Sequence, residues 1–272
     1  MLYSTFSGIA IFHNTLICVV LKSSKTSWNL QRCLTYSLPN GNDWRFISTQ
    51  LNKHLPKWRN CVAMSLGFEE VLSKSSVINS SLSIEEESSY IQEQVSQVLG
   101  QTKLAYDYKR QINEDSEDEV NLFLCKQDTL NTQLSNNGIN IDVVGWMLTD
   151  LYILSQELLT KANLTAHYFV DISQKRILVV SCNARLESAS FELDSNNLAQ
   201  QIQALCLADI TSMLLYGDEA NIALFKNQTR AVKGISFIDA RSLMPVEHNG
   251  SFSSLYPALA CALGAMYWSE SI

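Results

Sequence analysis

Two short stretches of this 272-residue chain hold side chains whose types and placing suit chemistry. His13 and Asn14 sit between the apolar runs Gly8-Ile9-Ala10-Ile11-Phe12 and Leu16-Ile17-Cys18-Val19-Val20. Both carry N–H donors, so a hairpin tip there can donate to a phosphate. The same pair also suits a plain turn, since Asn tolerates positive φ. Asp171 follows Tyr168-Phe169-Val170. There a carboxylate can accept from a metal-bound water, or cap a turn at a strand end.

Other chemistry has less support. Glu114 to Glu119, EDSEDE, puts five acids into six positions. A hard-cation loop needs oxygen ligands spaced by a turning backbone, and this run has no glycine and no alternating ligands. It reads as a solvated loop between LAYDYKRQI and the strand EVNLFLCK. The histidines at 13, 54, 167 and 248 show no short metal-ligand spacing. The chain has no G-x-S-x-G elbow, Walker loop or H-E-x-x-H, so protease, esterase and metallohydrolase chemistry are not indicated.

The elements that would position these residues follow from periodicity. Gly8 to Ser24 reads as two strands around His13-Asn14-Thr15, and Arg32 to Ser37 as a third, ended by Pro39-Asn40-Gly41-Asn42. Asp43 caps a helix with Trp44, Ile47, Leu51 and Leu55 on one face, stopped by Pro56. NCVAMSLGF is a short central strand. Ser83 with Glu86 forms a capping box opening a helix with Tyr90, Ile91, Val95, Val98 and Leu99 as its stripe, closed by Gly100. Thr129 to Asn136 is a helix ending at Asn137-Gly138, and INIDVVGWMLTDLYILSQELLTK enters a longer one, apolar from Val143 to Leu159 and suited to joining two lobes. Period two returns in AHYFVDIS and RILVVSCNARLESASFEL, with turns at Gln174-Lys175 and Asn183-Ala184. Next come a helix from about Asn197 to Ala208, the strand SMLLYGD, a helix near Asn221 to Lys226 and a strand at Gly234 to Ile238. Leu255 to Trp268 is a close-packed buried helix with Pro257 in its first turn.

Composition narrows the setting. With 46% hydrophobic residues the chain can bury large cores. Twenty bases against 27 acids leave −7, which argues against a broad nucleic-acid surface. Residues 1–60 carry seven Lys and Arg against Asp43 alone, +6, while residues 61–120 carry twelve acids and four bases, −8. That asymmetry suits an acidic partner or an anionic membrane, or simply separate solvated faces. Seven cysteines without a CxxC pair, mostly inside apolar runs, fit a cytosolic protein with reduced thiols. No signal peptide is expected, since no basic stretch precedes the amino-terminal apolar run and His13-Asn14 breaks it, and no membrane span, since the apolar segment from Tyr256 to Trp268 is thirteen residues where about 20 are needed.

The order of elements, together with SGIAIFHNTLICVVLKS, LAYDYKRQ (104–111), NLFLCKQDTLNTQLSNNGINIDVVGWMLTDLYIL (121–154), YFVDISQKRILVV (168–180), SMLLYGDEA (212–220) and PALACALGAMYW (257–268), resembles the actin-like ATPase family. Within it the chain is similar to type IV pilus assembly proteins of the PilM type, with the MshI, HofM and ComA relatives. The resemblance implies an α/β fold of two lobes, actin-like and ribonuclease H-like, with an inserted subdomain in the first lobe. The implied domains are 1–150, the first lobe with its insert around 60–138; 151–252, the joining helix and second lobe; and 253–272, a C-terminal helix packing back on the core.

Active members carry an Asp-x-Gly type loop in each lobe and a Gly-Gly turn where adenosine sits. This chain departs at all three places. Ala10 to Asn14 has neither the Asp nor the glycines, Asp171-Ile172-Ser173 has serine for glycine, and Tyr216-Gly217-Asp218 keeps one glycine beside an acid. Side chains on a phosphate loop block close approach, and a carboxylate beside the anion opposes it. The resemblance therefore implies a pseudo-ATPase with a degenerate nucleotide site at His13, Asn14, Asp171, Ser173, Gly217 and Asp218. No catalytic residue, metal or required cofactor is expected, and ATP binding without turnover stays open. It implies a cytoplasmic adaptor, peripheral to the inner membrane, for an MSHA-like type IV pilus or a competence apparatus. Its partner would be the cytoplasmic tail of a PilN-like single-span protein, with the motor ATPase as a further contact and no direct nucleic acid. A cleft lined from CVAMSLGF and NLFLCKQD would take the tail, and Arg45, Lys53, Lys57 and Arg59 would face anionic headgroups. The alternatives are an active actin-like ATPase and a type II secretion cytoplasmic assembly protein.

Overall fold

The computed structural model describes residues 3–12, 15–24, 27–37, 44–98, 103–112, 117–135, 138–173, 176–182, 188–205, 211–244 and 252–270, excepting the side chains at 12, 44, 45, 133–135, 173 and 270. The expected turns at His13-Asn14, Gln174-Lys175 and Asn183-Ala184, and the helix ends at Asp43, Leu99 and Gly100, lie outside these residues. The chain divides into two compact units, one of residues 1–42, 55–65 and 142–272, the other of residues 43–54 and 66–141.

The larger unit holds two five-stranded sheets. In the first, β1 (Thr5–Phe12), β2 (Thr15–Ser23) and β3 (Trp28–Ser37) run antiparallel, and β4 (Asn60–Leu66) lies parallel to β1 with Gly8 opposite Ala63. The strand β8 (Val143–Trp146) completes the order β3-β2-β1-β4-β8. The second sheet repeats the plan. The strands β9 (Tyr168–Ser173), β10 (Arg176–Ser181) and β11 (Ser188–Glu192) run antiparallel, while β12 (Thr211–Gly217) and β13 (Ile235–Asp239) continue parallel from β9. The inner strands read as near-continuous apolar runs because both their faces are covered.

One face of the second sheet packs Val170, Ile172, Val179, Met213 and Leu215 against α5 (Leu198–Leu205) and α6 (Glu219–Gln228). The first sheet packs on α7 (Phe252–Glu270), which also touches β12 and α4 (Met147–Ala162). Small residues let α7 approach closely. A methyl group on Gly8 would fall 2.0 Å from the Ala258 carbonyl oxygen and 2.5 Å from the Ala262 nitrogen, so only glycine fits. This helix begins at Phe252, three residues before the expected start. Pro257 therefore sits in its second turn, where it cannot donate to the carbonyl four residues back.

The smaller unit contains α1 (Trp44–His54), the three-stranded sheet β5-β7-β6, and helices α2 (Ile84–Val98) and α3 (Gln127–Ser135). Its strands are β5 (Val71–Asn79), β6 (Leu104–Gln111) and β7 (Glu117–Lys126), with Ile78, Val120, Leu122 and Leu124 packed against Ile91 of α2. The capping box forms as expected, the Ser83 backbone N–H donating to Glu86 Oε2 at 2.9 Å. Two expectations are corrected. The run from Glu117 to Glu119 is strand, not loop, because Arg110 on β6 takes Asp118, only 1% exposed, and Glu87 of α2 into one guanidinium fork. Val143 to Trp146, expected within the joining helix, pairs instead at the edge of the first sheet.

Candidate functional site

In each sheet the parallel strands end on one side, and a phosphate would meet the chain there. On the first sheet these ends are Phe12 of β1 and Leu66 of β4; on the second they are Ser173 of β9, Gly217 of β12 and Asp239 of β13. His13 and Asn14, expected as donors, lie outside the described residues, and the Ser173 side chain likewise.

Asp171 does not open toward any ligand. Register places it between Leu178 and Tyr216, and side-chain alternation puts it on the same face as Phe169, toward α7. It is 3% exposed, and the Tyr256 hydroxyl of α7 donates to its Oδ1 at 2.5 Å. Around this pair the Tyr216 ring packs in tilted contact, its centroid 5.2 Å from that of Tyr256 and 6.1 Å from that of Phe252. The Tyr216 hydroxyl shares a hydrogen bond of 3.0 Å with Ser155 Oγ on α4. Burial pushes the Tyr216 hydroxyl far above its ordinary range, so it stays protonated. A carboxylate that positions a metal-bound water must reach that water; this one is spent on holding α7 to the second sheet.

Gly217 and Asp218 are likewise explained by the chain itself. Gly217 has φ 139°, and a methyl group there would stand 2.6 Å from the Ile172 carbonyl oxygen, so the turn from β12 into α6 requires glycine. Asp218 is the N-cap of α6. Its Oδ1 accepts from the Asn221 backbone N–H and its Oδ2 from Asn221 Nδ2, each at 2.8 Å. Beside it, in the 3-10 turn Ala240–Leu243 that follows β13, Arg241 donates to Asp239 at 2.7 Å and approaches Glu219 at 3.5 Å. Burial raises the Asp239 carboxyl, but the Arg241 guanidinium and backbone N–H outweigh it and hold it below its ordinary range.

The first sheet has its own enclosed acid, which the sequence reading did not single out. Asp150, one turn into α4, is 5% exposed and accepts from Ser65 Oγ, which also meets Cys261 Sγ of α7. Gly145 and Gly264 make room for it: methyl groups there would fall 2.6 Å from Oδ2 and 1.9 Å from Oδ1. Burial raises Asp150 from 3.8 to about 7, with the Ser65 hydrogen bond opposing. The visible signal was an acid with Leu148, Leu151 and Leu154 around it. Among the described residues no three His, Cys, Asp or Glu side chains group as metal ligands, and no helix is long and apolar enough to cross a membrane.

Of the residues expected to line a peptide cleft, Cys61 to Met64 and Leu66 are buried in β4. In β7, Asn121, Phe123 and Cys125 are half-buried on the face opposite Val120, Leu122 and Leu124. Lys53 is exposed in the last turn of α1, and Lys57 and Arg59 are exposed between α1 and β4. Arg45 lies in the first turn of α1, its side chain outside the description.

No family model matches the sequence, and no curated protein matches it. A solved PilM-PilN type IV pilus biogenesis complex is similar with a TM-score of 0.67 at 12% identity, over 95% of this chain and 98% of that one. A Bacteroides thetaiotaomicron protein with actin-like ATPase fold and unknown function gives 0.48 at 9% identity, over 94% and 95%. The cytoplasmic domain of EpsL, an inner-membrane component of the Vibrio cholerae type II secretion system, gives 0.46 at 10% identity, over 92% and 100%. The fold is thus an α/β actin-like ATPase fold, with mixed sheets and flanking helices.

Proposed function

We propose that this chain is a non-hydrolysing actin-fold adaptor that works by binding a protein partner, and that the assembly it serves is a type IV pilus or a related DNA-uptake apparatus. The observation that carries this reading is the Asp171–Tyr256 hydrogen bond, which buries the acid a second-lobe phosphate loop would use. Asp218 supports it, since both its oxygens cap α6. So does the sequence of the two loops, which lacks the glycines that would turn backbone N–H groups toward a phosphate.

The likeness to a PilM-PilN complex supports a protein partner, and the partner of this reading is the cytoplasmic tail of a protein with one membrane span. An extended tail would add by backbone pairing to a sheet edge and place alternate side chains in pockets. In this role the protein needs no resident cofactor, and its partner holds it at the cytoplasmic side of the inner membrane.

The test is a direct titration with the tail peptide of a single-span protein encoded beside this gene. Saturable binding supports the adaptor. Absence of binding at about millimolar peptide, equivalent to about 4 kcal/mol, contradicts it.

A further inference from the structure

The turn between α1 and β4 presents Trp58 to solvent with 85% of its surface exposed, between exposed Lys57 and Arg59. Tryptophan carries a large apolar surface that is normally well buried, so its exposure on an ordered turn calls for an occupant.

The turn is also held in a costly shape. Arg59 adopts φ 50°, a left-handed conformation that side chains other than Gly, Asn and Asp seldom take. What holds it is its carbonyl oxygen, which accepts from the Ser4 N–H at 2.8 Å, the Thr5 N–H at 3.1 Å and Thr5 Oγ1 at 3.2 Å at the start of β1. The indole is therefore presented by a backbone pinned to the start of a central strand, which lowers the ordering cost of any contact it makes.

We propose that the Lys57-Trp58-Arg59 turn is a direct contact with an anionic membrane surface, Trp58 seating at headgroup level and the two cations pairing with lipid phosphates and carboxylates. Charge complementarity selects this occupant. Residues 55–65, the part of the larger unit that carries the turn, contain Lys57 and Arg59 and no Asp or Glu. An indole flanked by cations is the composition that settles at a bilayer interface. A protein hot spot would need a desolvated apolar pocket around the ring, and here the residues on both sides are exposed cations. The overall charge of −7 does not prevent the contact, because the field of distant acids is screened beyond about 8 Å at physiological salt. This contact is separate from partner binding and does not depend on it.

The experiment is sedimentation of the purified full chain with vesicles of phosphatidylcholine alone, or of phosphatidylcholine mixed with phosphatidylserine. The unaltered protein should bind the anionic vesicles only, and less as salt rises. Trp58→Ala should lower that binding about tenfold, and Lys57→Gln about fivefold. Arg59→Asn, which keeps a residue tolerant of positive φ, should match Lys57→Gln. Trp58→Ala touches an exposed side chain, and an unchanged circular dichroism spectrum verifies that it folds. Failure of the unaltered protein to bind anionic vesicles overturns the proposal, as does equal binding by Trp58→Ala. Retention on immobilised polyglutamate without vesicle binding also overturns it and assigns the turn to an acidic protein.

Discussion

Replacing Asp150 with asparagine should stabilise this protein at alkaline pH and do little at acid pH. The carboxyl is enclosed by Ser65, Cys261, Gly145 and Gly264, and its folded pKa lies near 7 against an ordinary 3.8. Between those two values the folded state keeps a proton that the unfolded state has released. Stability therefore falls as pH rises through this window and levels off above the folded pKa. The rise from 3.8 to about 7 is worth about 4 kcal/mol at its full extent. Asparagine cannot ionise and escapes that loss. Its second amide N–H meets the tight space beside Gly264 and takes back part of the gain, leaving about 2 kcal/mol at pH near 8. The assay is urea unfolding of both proteins near pH 5 and near pH 8. Every other titrating group is common to the two, so the change with pH in their difference isolates Asp150. The reasoning is refuted if the variant is less stable by the same amount at both pH values.

Other substitutions test the packing. Gly8→Ala should destabilise the larger unit by about 3 kcal/mol or more in denaturant titrations, since the added methyl meets the α7 backbone, which cannot yield as a flexible side chain would. Ser83→Ala, which removes one half of the capping box, should cost about 1 kcal/mol. Arg110→Met should lower the unfolding midpoint of the smaller unit by stranding buried Asp118, and the further change Asp118→Leu should recover part of the loss.

Hydrophobic period carried most of the fold. The β1/β2 hairpin, α2 with its capping box, and the successive strands β9 and β10 were legible because each buries a regular face. β5 escaped because Ser73, Lys74, Ser75 and Ser76 give it no apolar alternation; its pairing with β7, not its composition, makes it a strand. Four-residue β8 runs straight into an apolar helix, so no period marked the change. Asp118 was hidden in an acidic run because its counter-ion, Arg110, is supplied by a neighbouring strand. At the candidate site the missing glycines were visible in sequence. What replaced their function was not, because the partner of Asp171 is Tyr256, 85 residues away on another element.

The central claim is that Asp171, the acid left near the end of β9, is part of the α7 packing and does not serve a nucleotide. Magnesium-dependent ATP turnover by the purified protein, beside Asp171→Asn and Tyr256→Phe, tests this most directly. The account predicts no turnover above the protein-free rate in any of the three, with both variants lowering the unfolding midpoint because they weaken the bond between β9 and α7. Turnover by the unaltered protein that Asp171→Asn abolishes would contradict it.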